Sequence, residues 1–231
     1  MIALLRYQAA ILLRSHRWIF PVIAYVALVA AGAAEGGTPL SEGLGWSAAM
    51  LVPVVAFGTR SMLTAEPDAA RACAAAAAGP VRSQLAALLT ALGGGVLLAI
   101  AGACVAVPTS ESVLRNPLNP SPAEKISATV AHPGVLLAGL VTAGVCLLVA
   151  SAIGALFNPP VLRHPGVSVL ATLAAAIVAI ASDVSPAGAA LRHPAATQTT
   201  AQWPGLIPVI AAVCLLAVTW SASAFAAARR G

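Results

Sequence analysis

The chain predicts an all-α membrane protein. Six transmembrane helices have both termini cytoplasmic, with an N-terminal interfacial helix and a short cytoplasmic helix between spans two and three. Three observations carry this. Six apolar stretches run through the sequence, at 18–34, 47–63, 85–107, 134–157, 167–182 and 204–228. Each is near the ~20 residues that a helix needs to cross ~30 Å of hydrocarbon. The composition is 60% hydrophobic and 8% charged, with a mean hydropathy of +0.93, outside the range of soluble domains. The basic residues also segregate by loop. Together the spans make residues 1–231 a single transmembrane domain.

Loop charge sets the orientation by the positive-inside rule. With the amino terminus inside, the cytoplasmic segments hold Arg6, Arg14, Arg17, Arg60, Arg71, Arg82, Arg163, Arg229 and Arg230. The outer loops hold only Arg115, Lys125 and Arg192. Acids run the other way, with Glu66 and Asp68 inside against Glu35, Glu42, Glu111, Glu124 and Asp183 outside. The pI of about 9.6 then reflects topology and contact with an anionic lipid bilayer. No single basic patch forms, so nucleic acid is not expected as a partner. The preference for arginine over lysine, with Lys125 the sole lysine, and the abundance of alanine suggest a GC-rich bacterial genome and a bacterial plasma membrane.

Residues 1–17 come first. On a helix Arg6, Arg14 and Arg17 share one side among apolar neighbours, which fits a helix lying on the cytoplasmic leaflet. Trp18 marks the membrane boundary, as Trp46 and Trp203 do on the outer side. Ala31-Gly32-Ala33 has the small residues of a signal-peptide cleavage site. The preceding segment is long and apolar throughout, so the first span is expected to be retained. Arg60, in the last turn of span two, is expected to snorkel to the cytosol.

Between spans two and three, Pro67 with Glu66 and Asp68 marks a helix start. The alanine run Ala74–Ala78 propagates it and Gly79-Pro80 stops it. A helix over Pro67–Ala78 in the cytosol follows. Spans three and four carry stripes of small residues, Ala87, Ala91, Gly95, Ala99, Ala103 and Ala138, Thr142, Cys146, Ala150, Gly154. Such stripes let helix backbones approach closely. The proline-rich segment Pro108–Pro133 predicts an irregular outer loop. The segment Asp183–Trp203 is too polar to span and predicts a short re-entrant or surface element. Cys73, Cys104, Cys146 and Cys214 lack metal-ligand spacing and are expected to be packing residues.

The sequence excludes several chemistries. There is no G-x-x-x-x-G-K-[ST] loop to hold a nucleotide, no G-x-S-x-G elbow and no H-E-x-x-H pair. The histidines His16, His132, His164 and His193 divide between the two sides of the membrane, so they cannot make one metal site. Spans three, four and six have no ionisable side chain in their central turns, which argues against a carrier driven through a buried carboxylate. No catalytic, cofactor or metal residues are therefore expected, and the chain is not expected to be an enzyme.

The layout resembles the permease subunit of type 2 ABC transporters. It shares the spans, the amino-terminal interfacial helix, the cytoplasmic helix between spans two and three, and the polar outer insertion between spans five and six. The stretch Ala78-Gly79-Pro80-Val81-Arg82-Ser83-Gln84-Leu85 is similar to that family's entry into the third span. The family's Gly-Thr-Leu-Glu-like element before the proline is replaced here by Ala72–Ala78. The resemblance implies that Pro67–Ala78 docks as a coupling helix on a separate P-loop ATPase subunit, through Glu66, Asp68, Arg71 and Arg82. It implies ATP and Mg on that partner and none on this chain. It also implies a second permease chain, identical or related, and export of a hydrophobic or amphipathic substrate. The competing expectation is a non-transporting accessory or anchoring subunit.

Overall fold

The computed structural model describes residues 2–16, 18–34, 39–109, 133–157, 165–192 and 205–229, without the side chains at 68, 108, 109 and 165. The described residues are helical, in the order α1 (Ile2–Ser15), α2 (Ile19–Ala34), α3 (Leu40–Leu63), α4 (Asp68–Ala78), α5 (Pro80–Thr109), α6 (Pro133–Leu156), α7 (Pro165–Ala181), α8 (Pro186–Arg192) and α9 (Leu206–Ala228). By length and composition α3, α5, α6 and α9 can each cross a bilayer. At 16 and 17 residues, α2 and α7 fall short of the ~20 needed. Each has a neighbour across a short break: α1 meets α2 at 75° and α7 meets α8 at 41°.

Local sequence explains these boundaries. Pro67 precedes α4 in extended conformation, and eight of the eleven residues of α4 are alanine, the strongest helix former. Gly79 ends it at φ 88°, a left-handed value that only glycine adopts without strain, while its N–H bonds the Ala75 carbonyl. Pro80 then opens α5 at the position where proline loses no helical hydrogen bond. The helix α5 continues through Pro108 and Thr109, where an irregular loop was expected; residues 110–132, the rest of that expected loop but for Pro133, lie outside the described ones. At the other break, the Ser185 hydroxyl accepts the Gly188 N–H at 2.9 Å and caps α8. The expected element in 183–203 is therefore in part a short helix, packed on α6, α7 and α9 with Ala187, Gly188 and Ala190 buried; 193–203 lie outside the described residues.

The helices α3 and α6 form the centre, with α5, α2, α7 and α9 around them. The stripe Ala138, Thr142, Cys146, Ala150 and Gly154 is buried along α6. At Gly154 an added Cβ would stand 2.6 Å from the Ala56 carbonyl oxygen and 2.7 Å from Thr59 Cβ. The absent side chain is what lets α6 lie against the α3 backbone. On α5, Ala87 and Ala91 are buried, and a Cβ on Gly95 would meet Leu147 and Val55. Polar side chains tie the ends. Trp46 Nε1 donates to the Leu28 carbonyl at 3.0 Å, and Gln84 Nε2 to Ser223 Oγ at 2.9 Å. The first contact joins α2 to α3 at one end of the bundle. The second joins the start of α5 to the end of α9 at the other.

Two expectations need correction. Of the four cysteines only Cys146 packs in the core; Cys73, Cys104 and Cys214 are exposed. Arg60 does not snorkel outward. It is 8% exposed and turns sideways toward α7. The core at its own helix turn is polar enough to hold it, as described below.

Candidate functional site at the α3–α4 turn

The chain between α3 and α4 is four residues, Thr64 to Pro67, and most of its polar atoms are used within the fold. Thr64 closes α3, with its N–H and hydroxyl both on the Arg60 carbonyl. Glu66 points inward and is 8% exposed. Its Oε1 accepts the Tyr7 hydroxyl at 3.1 Å and its Oε2 accepts Gln8 Nε2 at 3.3 Å. Gln8 is 2% exposed, so both hydrogen-bond partners of this carboxylate come from α1. A buried carboxylate is costly unless hydrogen-bonded, which makes the Tyr7–Gln8–Glu66 contact a latch between α1 and the turn.

Arg71 serves the same turn from α4. Its Nη2 donates to the Leu63 carbonyl at 3.0 Å and the Glu66 carbonyl at 3.1 Å. These are carbonyls at the α3 C-terminus, where orphan acceptors and the negative dipole end favour a cation. Arg71 thus holds α4 to α3, and Glu66 holds α1 to both. On its outer side α4 exposes Ala69, Ala72, Cys73, Ala76 and Ala77, a stripe at helical spacing.

The expected coupling residues therefore separate. Glu66 and Arg71 are brought together at one turn: Glu66 is turned inward onto α1, while Arg71 stands exposed on α4 with its Nη2 on the Leu63 and Glu66 carbonyls. Arg82 is exposed in the first turn of α5. The helix α4 starts at Asp68, whose side chain lies outside the described ones. Arg6 and Arg14 stand exposed on α1, and Arg17 lies outside the described residues. The residues missed from the sequence are Tyr7 and Gln8. One signal for them was present: Gln8 is the only uncharged amide in an otherwise apolar and basic helix.

A second polar cluster lies at the same end of the bundle. Arg60 Nε donates to Ser168 Oγ at 2.9 Å, and Ser168 Oγ donates in turn to the Phe157 carbonyl at the end of α6. Thr172 Oγ1 bonds the Ser168 carbonyl at 2.7 Å. One arginine thereby links α3, α6 and α7. Ser168→Ala is expected to cost about 1.5–3 kcal/mol, the range for a hydrogen bond to a charged group. Thermal unfolding in detergent checks this against Ser221→Ala, an exposed position on α9 that should melt like the parent.

Among the described residues no three His, Cys, Asp or Glu side chains gather as metal ligands. No protein-family model, curated protein or solved structure matches the chain.

Proposed function

We propose that this chain is the permease subunit of an ATP-driven transporter of the type 2 ABC kind. In this reading it lies in a bacterial plasma membrane with α1, α4 and both termini on the cytoplasmic side, and it has no catalytic centre of its own. The helix α2 and the pair α7–α8 would complete six crossings, with α1 along the cytoplasmic leaflet as an interfacial helix. One observation supports the reading best: α4 is a short helix between two helices of spanning length, fastened at its base by Arg71 and Glu66, with an alanine stripe left open. A smooth stripe outside the membrane suits docking on a separate P-loop ATPase. A rigid base suits transmission of a push from that partner into α3 and α1. ATP and Mg would reside on the ATPase, and a second permease chain, identical or related, would complete the path. ATP-driven closure would then shift the paired bundles between two packings and export a hydrophobic or amphipathic substrate.

The test is purification of the chain from its native membrane in mild detergent, with co-purifying proteins identified. The expected result is a stoichiometric ATPase, lost in the double variant Ala72→Glu with Ala76→Glu. Those positions are exposed and make no part of the latch, so the bundle should melt unchanged. Retention of the ATPase by the double variant would remove the coupling role of α4. Recovery with membrane partners but no ATPase would favour the non-transporting anchor.

A further inference from the structure

A cavity of about 340 Å³ opens where α1 meets α2, walled by those two helices and by α3 and α5. On α3 its lining runs from Met62 back to Val54, a depth of about 12 Å at helical rise. Almost all of the lining is apolar, and no charged side chain contributes. Three wall residues are glycines, and two of them, Gly58 and Gly94, face open space. A Cβ on Gly58 or Gly94 would meet nothing within 4 Å. Among its lining residues Leu13 and Leu97 are 63% and 70% exposed.

What fills such a space follows from its surroundings. A bundle of apolar helices has hydrocarbon as its solvent, so an apolar cleft open on its flank takes an acyl chain. The mouth carries features of the headgroup region. Trp18 lines the cavity, and Arg14 stands exposed one residue after the lining residue Leu13. Deeper in the wall, Thr59 is 1% exposed and its Oγ1 has no hydrogen-bond partner among the described residues. A hydroxyl left so can donate to any acceptor an occupant brings, and a glycerol ester carbonyl is such an acceptor.

We propose that this cavity is a phospholipid site. It takes one acyl chain of an anionic phospholipid, with the phosphate at Arg14 and an ester carbonyl toward Thr59. The assignment does not depend on the permease reading, because an anchoring subunit with this cavity would bind the same lipid.

The test uses the full chain in nanodiscs of equal phosphatidylglycerol and phosphatidylethanolamine, extracted into mild detergent. Retained phospholipids are counted by native mass spectrometry. The parent should keep one phospholipid per chain, with phosphatidylglycerol favoured about fivefold for one nearby cation. Gly94→Leu and Gly58→Leu, which fill the cavity, should each lose it. Gly93→Leu should keep it, since Gly93 is exposed on the same helix and does not line the cavity. Arg14→Gln should keep a lipid and lose the preference, a readout that survives even if a filled variant misfolds. Equal retention in the Gly93 and Gly94 variants would overturn the site. Occupancy by detergent alone, or a parent indifferent to the headgroup, would overturn the anionic lipid.

Discussion

Gly154→Val is expected to weaken the bundle by about 1–3 kcal/mol, the usual cost of forcing extra carbons into a packed interface. The reason is the partner at that position. A Cβ would press on the Ala56 carbonyl oxygen at 2.6 Å, and backbone cannot rotate away as a side-chain tip can. Among the described residues the α3–α6 contact is the most extensive between two helices, so the strain acts on the centre of the fold. Gly144→Val is the matched comparison. It lies on the same helix, and a Cβ there meets nothing within 4 Å. Both variants gain the same side chain, so helix propensity and hydrophobicity cancel between them. Thermal unfolding in one detergent should place Gly144→Val near the parent and Gly154→Val well below it. Equal melting of the two would mean that α6 does not lie against α3 at this residue.

Glu66→Ala is expected to free α1 while leaving the spanning helices packed. The substitution removes both hydrogen bonds from α1 to the α3–α4 turn and leaves the buried Gln8 amide without its acceptor. Loss of a partner for a buried polar group costs about 1–3 kcal/mol. Hydrogen exchange reads this directly. Amides of residues 2–15 should exchange about tenfold faster or more, at roughly 1.4 kcal/mol per decade, while those of α6 stay protected. Gln8→Leu separates the two hydrogen bonds, because it keeps Tyr7 on Glu66 and removes only the amide. It should fall between the parent and Glu66→Ala. Unchanged exchange in α1 would show that apolar packing of α1 on α5, and not the Glu66 latch, holds that helix. In the permease reading, Glu66→Ala should also lower ATP-driven transport while ATPase binding persists, since α4 keeps its exposed stripe.

The class of the protein was legible because it depends on sums over many residues. The apolar runs locate α3, α5, α6 and α9 to within a few residues at most ends, and the alanine stretch bounded by Pro67 and Gly79-Pro80 locates α4. The stripe on α6 was legible for a related reason: only small residues permit backbone contact, and five of them recur at four-residue spacing. The ends were harder. The apolar run at Ser47 begins in α3 well after the helix itself, which starts at Leu40 because Pro39 can precede a helix but not extend one backward. Residues 18–34 and 167–182 read as spans of their own. Their helices, at 16 and 17 residues, are at the short end for a bilayer, and each meets a neighbour, α1 or α8, across a bend.

The coupling residues show where pattern reading stops. Glu66 looked like a surface charge because charged residues in short loops usually meet water. The burial of Glu66 depends on α1 reaching the turn, across a sequence separation of nearly sixty residues, and the bonds of the exposed Arg71 depend on α3 ending where Arg71 can reach its carbonyls. Local composition carries no information about either. Arg60 followed the same course: its position suggested snorkelling, and Ser168 arriving from α7 gives it a hydrogen-bond partner inside. By itself, then, the sequence determined that this is an all-helical chain with several membrane-length apolar helices, since transfer of apolar residues from water is additive along the chain. Tertiary structure alone decided which charges turn inward, which glycines carry the packing and which leave a cavity. Those outcomes depend on what stands opposite each residue, and that is a property of pairs of helices and not of any one of them.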